Sequence, residues 1–304
     1  MSETEKPAQS GAKKKKKKKS PVILLILMII SLGVFGFSAY KIISQKVEDN
    51  EAEEAYEEID KIAGMDKDDD TRETMMAEPD EEYKARYQER HQSDAHLAED
   101  EFRAVPISIV DFEALWKKNR DVRAWIQMED SVINYPVAQA EDNNAYLRHL
   151  LNGSYHRFGT LFFDYRNDLT GDKLNDDITI IYGHNIRAGD MFHTLQFFTS
   201  QSFYENHRYC VLYMPNGVYR IDFFAMVIIG EYDQLLFEYP ENAQGFLDRL
   251  KSRSIFKSTV EVTPEDKIVG LFTCTNEDHS ERYILYGRVV PLIVPDQQTT
   301  ESTE

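Results

Sequence analysis

Ile268-Val269-Gly270-Leu271-Phe272-Thr273-Cys274-Thr275 is an apolar run that stops abruptly in hydroxyls and a thiol. Eight residues after Cys274, Arg282 opens a second run, Tyr283-Ile284-Leu285-Tyr286-Gly287-Arg288-Val289-Val290. A third, Ile178-Thr179-Ile180-Ile181-Tyr182-Gly183-His184-Asn185, ends in an imidazole. Short apolar runs rich in β-branched and aromatic residues read as strands. A thiol, an imidazole and a guanidinium at predicted strand ends form a set of parts for thiolate acyl transfer.

Working outward, residues 122–128 and 132–137 read as two strands about the turn Glu129-Asp130-Ser131, with Pro136 suggesting a sheet edge. Further strands are expected at 159–164, 177–183, 267–273 and 283–290. Residues 209–214 and 218–230 form a hairpin pattern around Pro215-Asn216-Gly217, a strong turn signal. Helical patterns cover 111–119, 142–151 and 241–253, with a helical turn or two at 190–198. The sum is a mainly β domain of seven or eight strands with peripheral helices, a predominantly antiparallel barrel or sandwich. There is no internal repeat.

The N-terminus reads differently. Residues 13–19 are seven consecutive lysines, and the next apolar stretch, 21–40, holds no charge. Twenty residues at ~1.5 Å each span the ~30 Å hydrocarbon core of a bilayer. The run is too long for a cleaved signal core, and Ser38-Ala39-Tyr40 is a poor cleavage site. An uncleaved signal-anchor over 21–43 is expected, with the lysine-flanked tail (1–20) cytoplasmic and the rest extracellular.

Charge divides the remainder. Residues 46–104 carry 22 acidic and 8 basic side chains, within a chain of formal net charge −18. Such a segment repels itself and has little to bury, so 44–104 reads as a solvated acidic spacer, helical in part over 51–62. Residues 105–292 form the folded domain, and 293–304 a polar tail. The acidic balance of 105–304, 29 acids to 18 bases, argues against a nucleic-acid partner.

Two cysteines occur in the chain, and Cys210 sits in a strand-like run as a small buried hydrophobe. No Cys-x-x-Cys or His-x-x-x-His spacing exists, so no metal site and no cofactor is expected; Asp172, Asp176 and Asp177 read as solvated loop charge. A thiol attacks only as thiolate, so Cys274 needs a base or cation nearby. His184 has the chemistry of an acid/base, and so does His279, five residues from Cys274. Arg282 keeps its charge and suits a developing oxyanion. Composition does not choose between the two histidines.

The segments Tyr182-Gly183-His184-Asn185, Leu271-Phe272-Thr273-Cys274 and Arg282-Tyr283 resemble the signature segments of sortases, membrane-anchored cysteine transpeptidases of Gram-positive bacteria. Upstream, Trp125-Ile126, Ile133-Asn134-Tyr135-Pro136-Val137, Asp142-Asn143, Tyr146-Leu147 and Gly159-Thr160-Leu161-Phe162-Phe163-Asp164 make class B the nearest likeness, over roughly residues 107–291. The resemblance implies a closed β-barrel preceded by short helices. It further implies Cys274 as nucleophile, His184 as acid/base and Arg282 as oxyanion stabiliser, with Thr273, Phe272 and Thr275 beside the substrate. The implied substrate is a secreted protein with a C-terminal sorting signal, NPxTx-like for class B, cut after its threonine. An amine of a peptidoglycan precursor would then take up the acyl group. A pilus-assembling relative using a pilin lysine, a cysteine hydrolase, and a non-catalytic tethered binding module are the alternatives. Phe272 stands where some class B members have a small hydroxyl residue, and Thr275 where some have an acid; both departures bear on signal preference.

Overall fold

The computed structural model describes residues 21–66, 73–90, 101–185, 191–230, 233, 243–274 and 281–295. The polylysine tail (1–20), Thr275, His279 and residues 296–304 lie outside this set. The described strands are β1 Thr74–Pro79, β2 Val105–Ser108, β3 Val122–Gln127, β4 Asn134–Ala138, β5 Leu161–Phe163, β6 Ile178–Tyr182, β7 Tyr209–Met214, β8 Gly217–Gly230, β9 Ile268–Cys274 and β10 Glu281–Ile293. The helices are α1 Pro21–Ala63, α2 Glu81–Arg90, α3 Phe112–Lys118, α4 Gln201–Asn206 and α5 Ala243–Arg253, with a 3₁₀ helix at Phe192–Thr199.

Eight strands close on themselves in the order β10-β8-β7-β3-β4-β5-β6-β9 and back to β10. Closure satisfies the backbone of every barrel strand without an edge, and this decides barrel over sandwich. Two joints are parallel, β4 with β5 and β6 with β9. Pro136 is therefore not on an edge. It lies opposite Trp125 on β3, one residue before β4 begins to pair with β5 at Val137, where its missing N–H costs no ladder bond. The β7–β8 hairpin closes across Pro215-Asn216, with Met214 paired to Gly217.

Side-chain alternation separates an inside from an outside. Ile126, Val137, Leu161, Phe163, Ile181, Leu212, Phe223, Val269, Leu271 and Leu285 fill the barrel. On the outside, α5 lays Phe246, Leu247 and Leu250 over Phe224, Val227, Phe272, Ile284 and Tyr286. Burying each such side chain contributes ~1.5–3 kcal/mol relative to leaving it in water. Cys210 is buried, as a small core residue, and its burial pushes the thiol far above the ordinary range.

The chain divides into two compact units between Glu51 and Ala52. In the first, α1 is long and apolar enough to cross a membrane. The second begins inside the segment expected as a solvated spacer, and here the expectation is corrected. Ile59, Ala63 and Met65 pack with Val105, Leu115, Trp125 and Tyr213 on the barrel's outer face. Strand β1 pairs with both β2 and β10. Tyr83 of α2 donates to Glu101, which pairs with Arg288; Arg288 also meets Asp222, and Asp222 is held by Arg220 at 2.8 Å. The acidic composition hid this because Glu101 is neutralised by an arginine distant in sequence, and because a handful of apolar residues, Ile59, Ala63, Met65 and Ala77, suffices to pack the segment onto the barrel.

Residues 142–151 are also not a helix, but a chain of turns. The Asp142 carboxylate accepts from the backbone of Asn144 and Ala145, and Asn143 is drawn to Asp164 and Tyr165, so side chains compete with helical bonding.

Candidate active site

The three chemistry-bearing strand ends meet. Strand β6 runs parallel to β9 with Tyr182 at the level of Phe272, and the Gly183 N–H donates to the Phe272 carbonyl at 3.0 Å. There the described pairing of the two strands ends; His184 follows two residues after Tyr182, outside β6, and Cys274 two residues after Phe272 on β9. On the other side of β9, antiparallel β10 sets Arg282 directly opposite Cys274. The thiol-bearing strand is thus the middle one of three, with the strand leading to the histidine on one side and the arginine strand on the other. Neighbouring strands lie ~4.8 Å apart, so position 282 is one strand spacing from the cysteine position.

Alternation also places Arg282 on the outer face. Ile180, Tyr182, Phe272, Ile284 and Tyr286 belong to the outer cluster beneath α5. Arg282 precedes Ile284 by two residues on β10, and residues two apart on a strand share a face.

His184 is held by its backbone on both sides. Gly183 anchors to Phe272, and the His184 carbonyl accepts from Phe192 N–H at 3.0 Å. A Cβ at Gly183 would lie 2.4 Å from Leu161 Cδ2 and 2.6 Å from Phe192 Cδ2, so only glycine lets the chain enter the site this closely. Met191 closes the loop after His184 with φ 52°, its N–H donating to the Tyr135 hydroxyl at 3.2 Å. The imidazole Nε2 faces the Leu147 carbonyl at 3.3 Å, and the Phe158 ring is 6.0 Å away. A carbonyl at Nε2 favours a proton on that nitrogen and leaves Nδ1 as the acceptor.

Arg282 is partly buried, and its Nε meets no acceptor among the described residues. Beside it Tyr182 donates to Asp164 at 2.9 Å. Asp164 also accepts from Asn143 and from the Arg166 backbone and guanidinium at 2.8–3.0 Å. Burial pushes the Asp164 carboxyl up, but these donors outweigh it and hold it at about 2. Burial, and next the Asp164 charge, push Tyr182 well above the ordinary phenol range. This network fixes the floor between β5 and β6.

Phe272 is wedged between Tyr182 at 5.7 Å and Tyr286 at 6.0 Å. Thr273 is on the opposite face of β9, 2% exposed. Both pack beneath the site. The sequence reading missed Leu147, Phe158, Tyr135 and the Asp164–Tyr182–Arg166 network. Gly183 and Gly159 were the available signals, since both mark close backbone approach beside the histidine.

No protein-family model matches the chain. It is 33% identical over 184 residues to sortase B of Staphylococcus aureus, covering 59% of this chain and 74% of that protein. It is 32% identical over 181 residues to sortase B of Listeria monocytogenes, covering 58% and 72%. Among solved structures, the Staphylococcus aureus sortase B–substrate complex superposes with a TM-score of 0.60 at 27% identity, covering 81% of this chain and 99% of that one.

Proposed function

The chain belongs to the sortase B family and is a cysteine transpeptidase; on that basis we propose that Cys274, His184 and Arg282 carry its chemistry. The observation that supports the assignment is Arg282 paired directly opposite Cys274, with β6, which leads into His184, running beside β9 as far as the Tyr182–Phe272 pair.

In this reading the Cys274 thiolate attacks the carbonyl carbon of the threonine in an NPxTx-like sorting signal. The negative charge moves to the carbonyl oxygen, where the Arg282 guanidinium donates to it. His184, as imidazolium, gives its proton to the leaving amine, and the peptide C–N bond breaks. The acyl group now rests on sulfur as a thioester. An amine of a peptidoglycan precursor attacks next, His184 takes its proton, and the thiolate leaves. One amide is broken and one formed, so neither metal nor redox cofactor enters the balance. Proton transfer of this kind supplies ~10²–10⁴-fold, and one oxyanion donor ~10²–10³-fold.

The apolar start of α1 serves in this reading as a membrane anchor with the lysine-rich tail inside and the catalytic unit outside. Chemistry there would meet exported proteins and wall precursors on the same side of the membrane.

The test is mass spectrometry of the full chain with NPxTx-like and LPxTx-like peptides, with and without an added oligoglycine amine. Cleavage after threonine with amine capture is expected for the NPxTx-like peptide. Release into water alone would favour a hydrolase; capture only by a lysine side chain would favour pilus assembly. A Cys274→Ala chain that still turns over would remove the assignment.

A further inference from the structure

We propose that Tyr56, in the part of α1 belonging to the catalytic unit, is a positioning residue for His184; the inference rests on the acid/base reading of that histidine.

Two contacts of Tyr56 lead toward the imidazole by different routes. Its hydroxyl donates to the Gly159 carbonyl at 2.7 Å, across 103 residues of sequence. Gly159 has φ +55°, and a Cβ there would lie 2.0 Å from the Tyr146 carbonyl oxygen and 2.7 Å from the Leu147 carbonyl carbon and oxygen. Its backbone therefore rests directly on residues 146 and 147. That segment supplies the Leu147 carbonyl facing His184 Nε2 at 3.3 Å, while Phe158, the residue before Gly159, sets its ring beside the imidazole. Thr160 N–H donates to the Tyr146 carbonyl at 3.0 Å and locks the two segments together.

The second route runs through Tyr135. The Tyr56 ring meets the Tyr135 ring edge-on at 5.5 Å, and the Tyr135 hydroxyl receives the Met191 N–H. Met191 bridges to Asn185 and is followed by Phe192, whose N–H holds the His184 carbonyl. One side chain thus braces both the carbonyl that faces Nε2 and the loop base that fixes the histidine backbone. A residue so placed sets tautomer and ring position, which govern how readily the histidine exchanges a proton with sulfur and with the leaving amine.

Tyr56→Phe deletes the donor to Gly159 and keeps the ring on Tyr135. In the full chain in detergent, its kcat/KM for the preferred peptide is expected to fall about 5- to 30-fold, mostly in kcat. The pH–rate profile is expected to shift with it, and so are the His184 ring resonances in a histidine-labelled NMR titration. Ile59→Val, which trims a buried residue one turn further along the helix, serves as the structural control. It should lower the melting temperature by a similar amount with the pH profile and His184 resonances unmoved. A Tyr56→Phe chain with wild-type profile and wild-type His184 titration overturns the proposal; so does one whose changes are reproduced by Ile59→Val. If the wild-type chain turns over no peptide, the sortase chemistry assigned above fails. The His184 titration still decides whether Tyr56 places the ring.

Discussion

Arg282 stands directly opposite Cys274 on the antiparallel β9–β10 ladder. A directly opposed pair shares one face, so the register puts the guanidinium position beside the nucleophile position without help from any loop. On the far side of β9, β6 runs parallel up to the Tyr182–Phe272 pair and leads the chain into His184 two residues later.

Arg282→Lys should therefore lose ~10²–10³-fold in kcat, because a point charge does not replace a planar fork of donors. Thermal stability should hardly change, since the guanidinium Nε makes no bond among the described residues. Steady-state kinetics beside a melting curve checks this. Near-normal kcat would remove Arg282 from the oxyanion role.

Cys274→Ala should abolish the thioester while leaving the barrel folded. Electrospray mass of the chain after incubation with peptide reads the adduct, and circular dichroism reads the fold. An acyl adduct persisting in this variant would place the nucleophile elsewhere.

Gly183→Ala introduces a Cβ into the space held by Leu161 and Phe192. Relief requires the backbone entering His184 to move, so overpacking should cost ~1–3 kcal/mol and activity should fall further than stability explains. Denaturant melts and kinetics on the same preparation separate the two effects. Equal, small losses in both would show that Phe192 simply yields.

Asp222 ties acid pH to stability. Burial pushes its carboxyl up, but Arg220 and Arg288 outweigh that and hold it below the ordinary carboxylate range. With the folded pKa below the unfolded value of ~3.9, this stabilisation is complete above that value and is lost as pH falls through the folded one. Wild type should melt progressively earlier below about pH 4. Asp222→Asn should cost ~3–5 kcal/mol at neutral pH, because it leaves buried Arg220 without a carboxylate partner while Arg288 keeps only Glu101, and should respond less to acid. Calorimetry across that range decides, and an Asn variant as stable as wild type would mean the network is replaceable.

Tyr182→Phe tests the floor of the site. It removes one of the donors on Asp164 and leaves the ring against Phe272 and Phe162. A stability loss of ~1 kcal/mol with a modest fall in kcat is expected. A wild-type melting temperature would show that the remaining donors suffice.

Much of the barrel was legible because strand signals are local. The β7–β8 hairpin was written in Pro215-Asn216-Gly217, and Ile178–Tyr182 and Ile268–Cys274 announced themselves by apolar runs of strand length. The helix expected at 142–151 failed because Asp142 and Asn143 spend their side chains on turn backbone and on Asp164, a partner about twenty residues away. The segment after Ala52 was misread as solvated because its charge count is high, while Ile59, Ala63, Met65, Ala77 and Tyr56 find the barrel.

By itself the sequence determined that strands end in a thiol, an imidazole and a guanidinium, that a long apolar helix precedes them, and that the motifs resemble those of sortases. Only the tertiary structure decided that Arg282 stands opposite Cys274, that β6 lies parallel to β9, and that Tyr56 reaches Gly159. The reason is physical. Alternation and turn chemistry act within a few residues and can be read there, whereas strand partners are chosen by packing and loop closure across a hundred residues, where no local pattern records the choice.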